Sequence, residues 1–196
     1  METLNQLDAE ELYHLALQAI NNKNHDKAIA LLKMSLDLKP DANTQYILAA
    51  EHAEIGMLER ATAEMCKAIE LDSSLWTAYL QLGLLYMMQN QAQQAIDAWS
   101  SLQSLDEEDP LHLFGLGLTC VLEGKYPEAV TLLERGINQN QTNPALNNDM
   151  VGVLNRVKNA MDLETDRAED QDSQPSSKEH LFLNAYHKDG DSLEPQ

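Results

Sequence analysis

The stretch that decides the fold is WTAYLQLGLLYMMQNQAQQAIDAWSSLQSLDEEDP, residues 76–110. It holds two apolar blocks with helical periodicity, and the polar turn QNQAQ separates them. Gly83 in the first block and Ala95 in the second would let two helices approach closely, and Trp99 supplies the bulk that fills the space between them. The stretch therefore predicts a pair of antiparallel helices joined by a tight turn.

The same pattern recurs along the chain with a period of 33 or 34 residues. An alanine followed four residues later by a large apolar residue marks each second block, at Ala28, Ala61, Ala95 and Ala129. Such a period is the signature of a repeat architecture. The sequence predicts four units over residues 9–41, 42–75, 76–109 and 110–143, closed by a capping helix at 144–163.

Within the third unit the chain resembles the tetratricopeptide repeat family at Tyr79, Leu82, Gly83, Tyr86, Ala95 and Trp99. The first two units depart from the family pattern, since alanines replace the glycine and Ala19 and His52 replace the second tyrosine. The resemblance implies an all-α fold, a right-handed superhelix (α-solenoid) of antiparallel helix pairs over residues 1–163. An acidic, flexible tail is expected over residues 164–196.

Composition excludes several classes of function. The net charge of −19 would repel nucleic acid and anionic membranes. The longest apolar run, residues 113–122, is too short to span a bilayer, and the start of the chain lacks the features of a signal peptide. Neither a metal-binding nor a catalytic motif is present. We expect a cytoplasmic protein that is not an enzyme, needs no cofactor and does not insert into membranes.

The resemblance also implies a concave groove lined by the first helix of each unit. The second, fifth, ninth and twelfth residues of a unit, here called groove positions, would face it. These are Glu10, Tyr13, Leu17, Ile20, Asn43, Tyr46, Ala50, Ala53, Thr77, Leu80, Leu84, Met87, Leu111, Phe114, Leu118 and Val121. We predict that ten of them bind a peptide: Tyr13, Leu17, Tyr46, Thr77, Leu80, Leu84, Met87, Leu111, Phe114 and Leu118.

None of the 13 lysines and arginines lies in these first helices. The groove should be apolar in units three and four, and apolar with an acidic edge at Glu10, Glu51 and Glu54 in units one and two. The partner is therefore predicted to be a protein or peptide with an apolar segment, bound by a scaffold or adaptor. The alternative is a bacterial secretion-type chaperone that holds an apolar substrate segment. A scaffold should bind folded members of a complex, whereas a chaperone should bind one specific translocated protein.

The tail contains one segment that should not stay a random coil. Ser176 and Glu179 form the pattern of a capping box, which predicts a short amphipathic helix near residues 177–189. Its apolar residues are Leu181, Phe182, Leu183 and Tyr186. A helix this short needs a host surface. We predict that it docks on the repeats, in its own chain or in a second copy, which leaves a homodimer through the tail or the repeat ends open.

Overall fold

The computed structural model describes the backbone of residues 7–169 and the side chains of residues 7–162. Within this part of the chain all regular structure is helical. The helices are α1 Ala9–Asn21, α2 His25–Leu38, α3 Ala42–Glu54, α4 Leu58–Leu71, α5 Trp76–Met88, α6 Ala92–Ser100, α7 Pro110–Leu122, α8 Tyr126–Gln139 and α9 Pro144–Glu169. A short 3-10 turn at Ser101–Ser104 extends α6.

Successive helices pack in pairs, α1 with α2, α3 with α4, α5 with α6 and α7 with α8. Each pair also packs on the next one along the chain, and contacts between distant helices are few. That pattern is the quasi-one-dimensional packing of a solenoid. The all-α fold predicted from the sequence, an α-solenoid of antiparallel helix pairs, is confirmed.

The turn inside each pair places one residue in the left-handed region of backbone space. These residues are Lys23, Gly56, Asn90 and Gly124, with φ of 55°, 77°, 60° and 74°. They occupy equivalent places in the four units. Glycine adopts this conformation without steric cost, whereas lysine and asparagine do not. The repeat period therefore extends to the backbone conformation of the turns.

Small residues allow the two helices of a pair to approach closely. A Cβ atom at Gly83 would overlap the ring of Trp99, which lies directly on the α5 backbone. The indole Nε1 of Trp99 donates a hydrogen bond of 3.1 Å to the carbonyl of Leu80. Gly117 serves the same purpose, because a Cβ there would lie 2.9 Å from Leu133 of α8. Close packing thus explains why glycine follows leucine in units three and four.

The last helix is longer than the predicted capping helix. It begins at Pro144 and continues to Glu169, six residues past the boundary expected at 163. Residues 164–169, ETDRAE, are mostly good helix formers that can extend an established helix. The predicted tail segment at 177–189, with Leu181, Phe182, Leu183 and Tyr186, lies outside the described residues and stays a prediction.

Candidate functional site

The groove positions of units three and four are mostly buried. Leu80, Leu84, Phe114 and Leu118 are 1%, 5%, 0% and 0% exposed. Phe114 packs against the α8 backbone, where a Cβ at Gly136 would lie 2.5 Å from its ring. Four of the ten predicted binding residues are thus core residues in this structure. Thr77, Met87 and Leu111 remain partly exposed.

The apolar face of α9 shares the buried cluster that contains these groove positions. Leu80, Leu84, Phe114, Leu118 and Val121 belong to it, together with a stripe from α9: Leu146, Met150, Val153, Leu154 and Val157. The α9 residues recur at helical spacing and therefore lie on one face. The last helix packs on α8 and extends the apolar cluster of units three and four to the end of the array.

A group of asparagines holds the start of α9 against the end of α8. Asn140 is buried, and its side-chain amide donates to the carbonyl of Asn143 and to Oδ1 of Asn147, at 3.0 and 2.8 Å. Asn147 in turn donates to the carbonyl of Asn140 at 2.8 Å. The bond from Asn147 satisfies the carbonyl of Asn140 at the end of α8, which has no partner within that helix. Asn147, a polar surface residue by sequence, is therefore part of the junction between the two helices.

The groove positions of units one and two form an open surface. We call this surface the open half-groove, and its six members are partly exposed: Tyr13, Leu17, Ile20, Tyr46, Ala50 and Ala53. A shallow pocket between α1 and α3 adjoins it and is lined by Glu10, Tyr13, Asn43 and Lys39 among others. Within the described structure, apolar groove side chains are therefore most accessible in the first half of the array.

Negative charges raise the pKa values of two groups, one on α3 and one on α9. Burial raises the pKa of the Tyr46 hydroxyl, and the negative charge of Asp149 raises it further. Burial also raises the pKa of the Asp149 carboxyl, and the charge of Glu54 on α3 adds to that increase. Asp149 still reaches solvent, as expected for a residue at the wall of a groove.

Sequence reasoning placed Glu54 on the acidic edge of the groove but did not identify Asp149 as a residue near it. Glu54 is one residue beyond the twelfth position of its unit, and Asp149 belongs to the helix that was expected only to close the array. The signal in the sequence was the apolar stripe of α9, which indicates that one face of this helix is buried. The sequence did not show which units that face would cover.

Two other kinds of site, metal-binding clusters and membrane-spanning helices, concern the residues that the structure describes. No group of three or more histidine, cysteine, aspartate or glutamate side chains is placed to hold a metal ion there. In the same region, no helix is both long enough and apolar enough to cross a bilayer.

Comparisons with known proteins agree with this architecture. Residues 77–106 match the family model described as tetratricopeptide repeat. A crystal structure of MamA is 25% identical over 68% of this chain and 78% of that chain, with a TM-score of 0.57. A tetratricopeptide repeat protein from Thermus thermophilus is 17% identical over 78% and 82%, with a TM-score of 0.62.

A longer protein also contains this fold. In the Cut9–Hcn1 hetero-tetramer of the APC/C, the matching chain is 18% identical over 81% of this chain, with a TM-score of 0.66. The match spans only 32% of that protein, so it shows a shared fold over part of its length. A comparison with curated proteins found no match.

Proposed function

Because this chain is a tetratricopeptide repeat protein, we propose that it is a non-enzymatic scaffold or adaptor that binds a partner protein through the open half-groove. The observation that carries the proposal is the contrast between the two halves of the array. Leu80, Leu84, Phe114 and Leu118 of units three and four are buried, while units one and two leave apolar side chains accessible on the face where the family resemblance places a groove.

The size of the open half-groove suits a short partner segment. Tyr13, Leu17 and Ile20 lie on α1, and Tyr46 lies opposite them on α3. Burying about 300 Å² of apolar surface contributes roughly 7 kcal/mol before the costs of ordering and association. After those costs we expect micromolar affinity at best. Such affinity is typical of a module that recognises an exchangeable segment rather than of a permanent subunit.

Partner capture tests the proposal directly. We expect the double variant Leu17→Ser and Tyr46→Ser to lose partners that wild type recovers in affinity purification with mass spectrometry. Both side chains are partly exposed, so the variant should remain helical by circular dichroism. The matched control is Leu38→Ser with Leu71→Ser, at the ends of α2 and α4, where the residues are 60% and 48% exposed.

Unchanged recovery by the folded half-groove variant would show that partners bind elsewhere. Equal losses in both variants would show that recovery depends only on general surface apolarity. Recovery of one translocated protein, rather than folded complex members, would favour the chaperone alternative.

A further inference from the structure

We infer that the tail segment, residues 176–190 of this same chain, docks on one end of the open half-groove and has to be displaced before a partner binds there. The docking surface, here called the turn end, consists of Ile20 and Ala53, the twelfth positions of units one and two, and of Ile55 and Met57 in the turn after α3. The inference rests on the proposed function, because the segment occupies part of the surface that a partner would use.

The turn end exposes large apolar side chains where the other units have polar ones. Ile55 and Met57 are 36% and 41% exposed. They flank Gly56, the left-handed residue of their turn. The residues that flank the left-handed position in the other three turns are Asn22 and Asn24, Gln89 and Gln91, and Glu123 and Lys125. Unit two therefore extends the apolar surface of the half-groove onto the edge of the array where the turns lie.

The last helix ends at the same edge of the array. Helices α8 and α9 pack together and are joined by residues 140–143, so they run antiparallel. Helix α9 thus runs in the direction of α3, and its C-terminal end points towards the edge that carries the turns. Lys158 Nζ lies 2.7 Å from Glu134 Oε1, and Met161 packs against the cluster of units three and four, so α9 follows the array to about this point. The chain that follows Glu169 therefore starts from the turn side of the array.

The tail is long enough to reach the turn end. Eleven residues, 170–180, separate α9 from Leu181, the first large apolar residue of the segment. At up to about 3.4 Å per residue, this stretch spans about 37 Å. Helices α9 and α3 are three units apart, and at about 10 Å between neighbouring helices these units span roughly 30 Å. The turn end is therefore within reach of the chain's own tail, and no second copy is needed.

The segment is also the part of the tail with a suitable charge. Its lysines, Lys178 and Lys188, are balanced by one glutamate and one aspartate, whereas residues 164–175 before it are acidic. The half-groove has an acidic edge and no lysine or arginine on α1 or α3. Repulsion by that edge therefore disfavours residues 164–175 but not the formally neutral segment.

The apolar side chains of the segment suit the turn end. Leu181, Phe182 and Tyr186 share one face of the helix predicted from the sequence. A helix of this length is not stable alone in water, so it forms only where that face is buried. Contact with Ile55 and Met57 removes apolar area of both surfaces from water.

Tethering makes a weak contact effective. A short linker gives the segment an effective concentration of order millimolar at a site that it can reach. If the free segment binds with a Kd of about 0.1 mM, the tethered segment occupies the site roughly nine-tenths of the time. A ligand for the same site then binds roughly tenfold more weakly, because only the unoccupied fraction is competent. The tail therefore sets a threshold that a partner must exceed.

The test measures how a fluorescein-labelled peptide of residues 176–190 binds to the full chain. Fluorescence anisotropy compares wild type with the segment variant, Phe182→Ser with Tyr186→Ser, whose own tail no longer competes. Leu193→Ser is the matched control, since it removes an apolar tail residue outside the segment. We expect the Kd of the peptide to be at least about threefold lower for the segment variant than for wild type, and equal to the wild-type value in the control. Equal Kd values for wild type and the segment variant, or no binding to either, would overturn the inference.

The position of the site is tested in the segment variant. Adding Ile55→Ser with Met57→Ser should raise the Kd of the peptide at least about fivefold. Adding Leu38→Ser with Leu71→Ser, at exposed positions on the opposite edge of the array, should raise it less than about twofold. Equal effects of the two pairs would overturn the assignment of the site. Sedimentation of wild type as a dimer that the segment variant does not form would overturn docking within one chain.

Partner capture separates this inference from the proposed function. If capture depends on Leu17 and Tyr46 but the peptide test fails, the inference is overturned and the proposed function stands. If capture ignores Leu17 and Tyr46, both are overturned, because the segment then blocks no partner at the half-groove. If both are correct, the segment variant should recover more partner than wild type, and equal recovery would overturn the competition.

Discussion

At the scale of single residues, His52 departs most clearly from the repeat pattern. It occupies the place where units with the full pattern have tyrosine, and it is 1% exposed. Neither ring nitrogen has a hydrogen-bond partner. Burial lowers the pKa of His52, and the positive charge of Lys33 lowers it further. The histidine is therefore neutral in the folded protein at neutral pH, and protonation would place an unpaired charge inside unit two.

This environment predicts a loss of stability in acid. The unfolded chain binds a proton at His52 near the ordinary pKa of about 6.5, whereas the folded chain does so only at lower pH. The free energy of unfolding should therefore hold above about pH 6.5 and fall as the pH drops towards the lowered folded pKa. The variant His52→Gln, which does not titrate, should lose less stability than wild type between pH 7.5 and 5.5 in urea unfolding.

The control for that measurement is His14→Gln. The side chain of His14 is 62% exposed, so its replacement should leave the pH dependence of wild type in place. A slope in the His52 variant equal to that of wild type would mean that other groups cause the acid sensitivity.

At the scale of elements, the turns inside the helix pairs differ in the free energy of their backbone conformation. Units two and four use Gly56 and Gly124 in the left-handed conformation, while unit one uses Lys23. A residue with a Cβ atom pays about 1 kcal/mol or more for this conformation. The turn between α1 and α2 is therefore less favourable than its equivalents, although the sequence places it in the same position of the repeat.

We expect Lys23→Gly to raise the free energy of unfolding by about 0.5–1 kcal/mol, because it removes the steric cost of a positive φ. Chemical denaturation measures the change. Lys39→Gly is the control, since Lys39 is also exposed but has an extended backbone with φ of −150°. Glycine at that position relieves no steric cost, and it lowers the free energy of unfolding because it makes the unfolded chain more flexible. Equal effects of the two substitutions would point to lysine charge rather than to backbone strain.

At the scale of the whole molecule, α9 packs on α8 and joins the buried cluster of units three and four. Its residue Met150 is 0% exposed, within the cluster that contains Leu84 and Leu118. The neighbouring Val151 is 39% exposed on the opposite side of the helix. If α9 were only loosely attached, replacing either residue would leave the free energy of unfolding unchanged. The burial pattern indicates instead that α9 is an integral part of the folded unit.

Accordingly, Met150→Ala should lower the free energy of unfolding by about 2–5 kcal/mol, the range for removing a large buried side chain. Val151→Ala, one residue along, should change it by less than about 0.5 kcal/mol. The Met150 variant should also show faster hydrogen exchange in α8, because α9 packs on that helix. A small, equal effect of both substitutions would contradict the packing of α9 described above.

The fold was predictable because every feature that defines it is local. The spacing of Ala28, Ala61, Ala95 and Ala129 identifies the units, and each interval is 33 or 34 residues long. Gly83 with Trp99 identifies how the two helices of a pair pack within one unit. Each helix pair buries its own apolar face and that of its neighbour, so the period in sequence is also the period in space. The turn positions, including Gly56 and Gly124, follow from the same period.

The site was only partly predictable, because groove and core look alike in sequence. Leu17 and Leu84 both occupy the ninth position of a unit, yet the first is partly exposed and the second is buried. The sequence by itself determined the repeats, their helices, their close contacts and the acidic balance. Only the tertiary structure decided which groove positions are buried and that the apolar face of α9 joins the cluster of units three and four, because that packing depends on how neighbouring units rotate relative to one another.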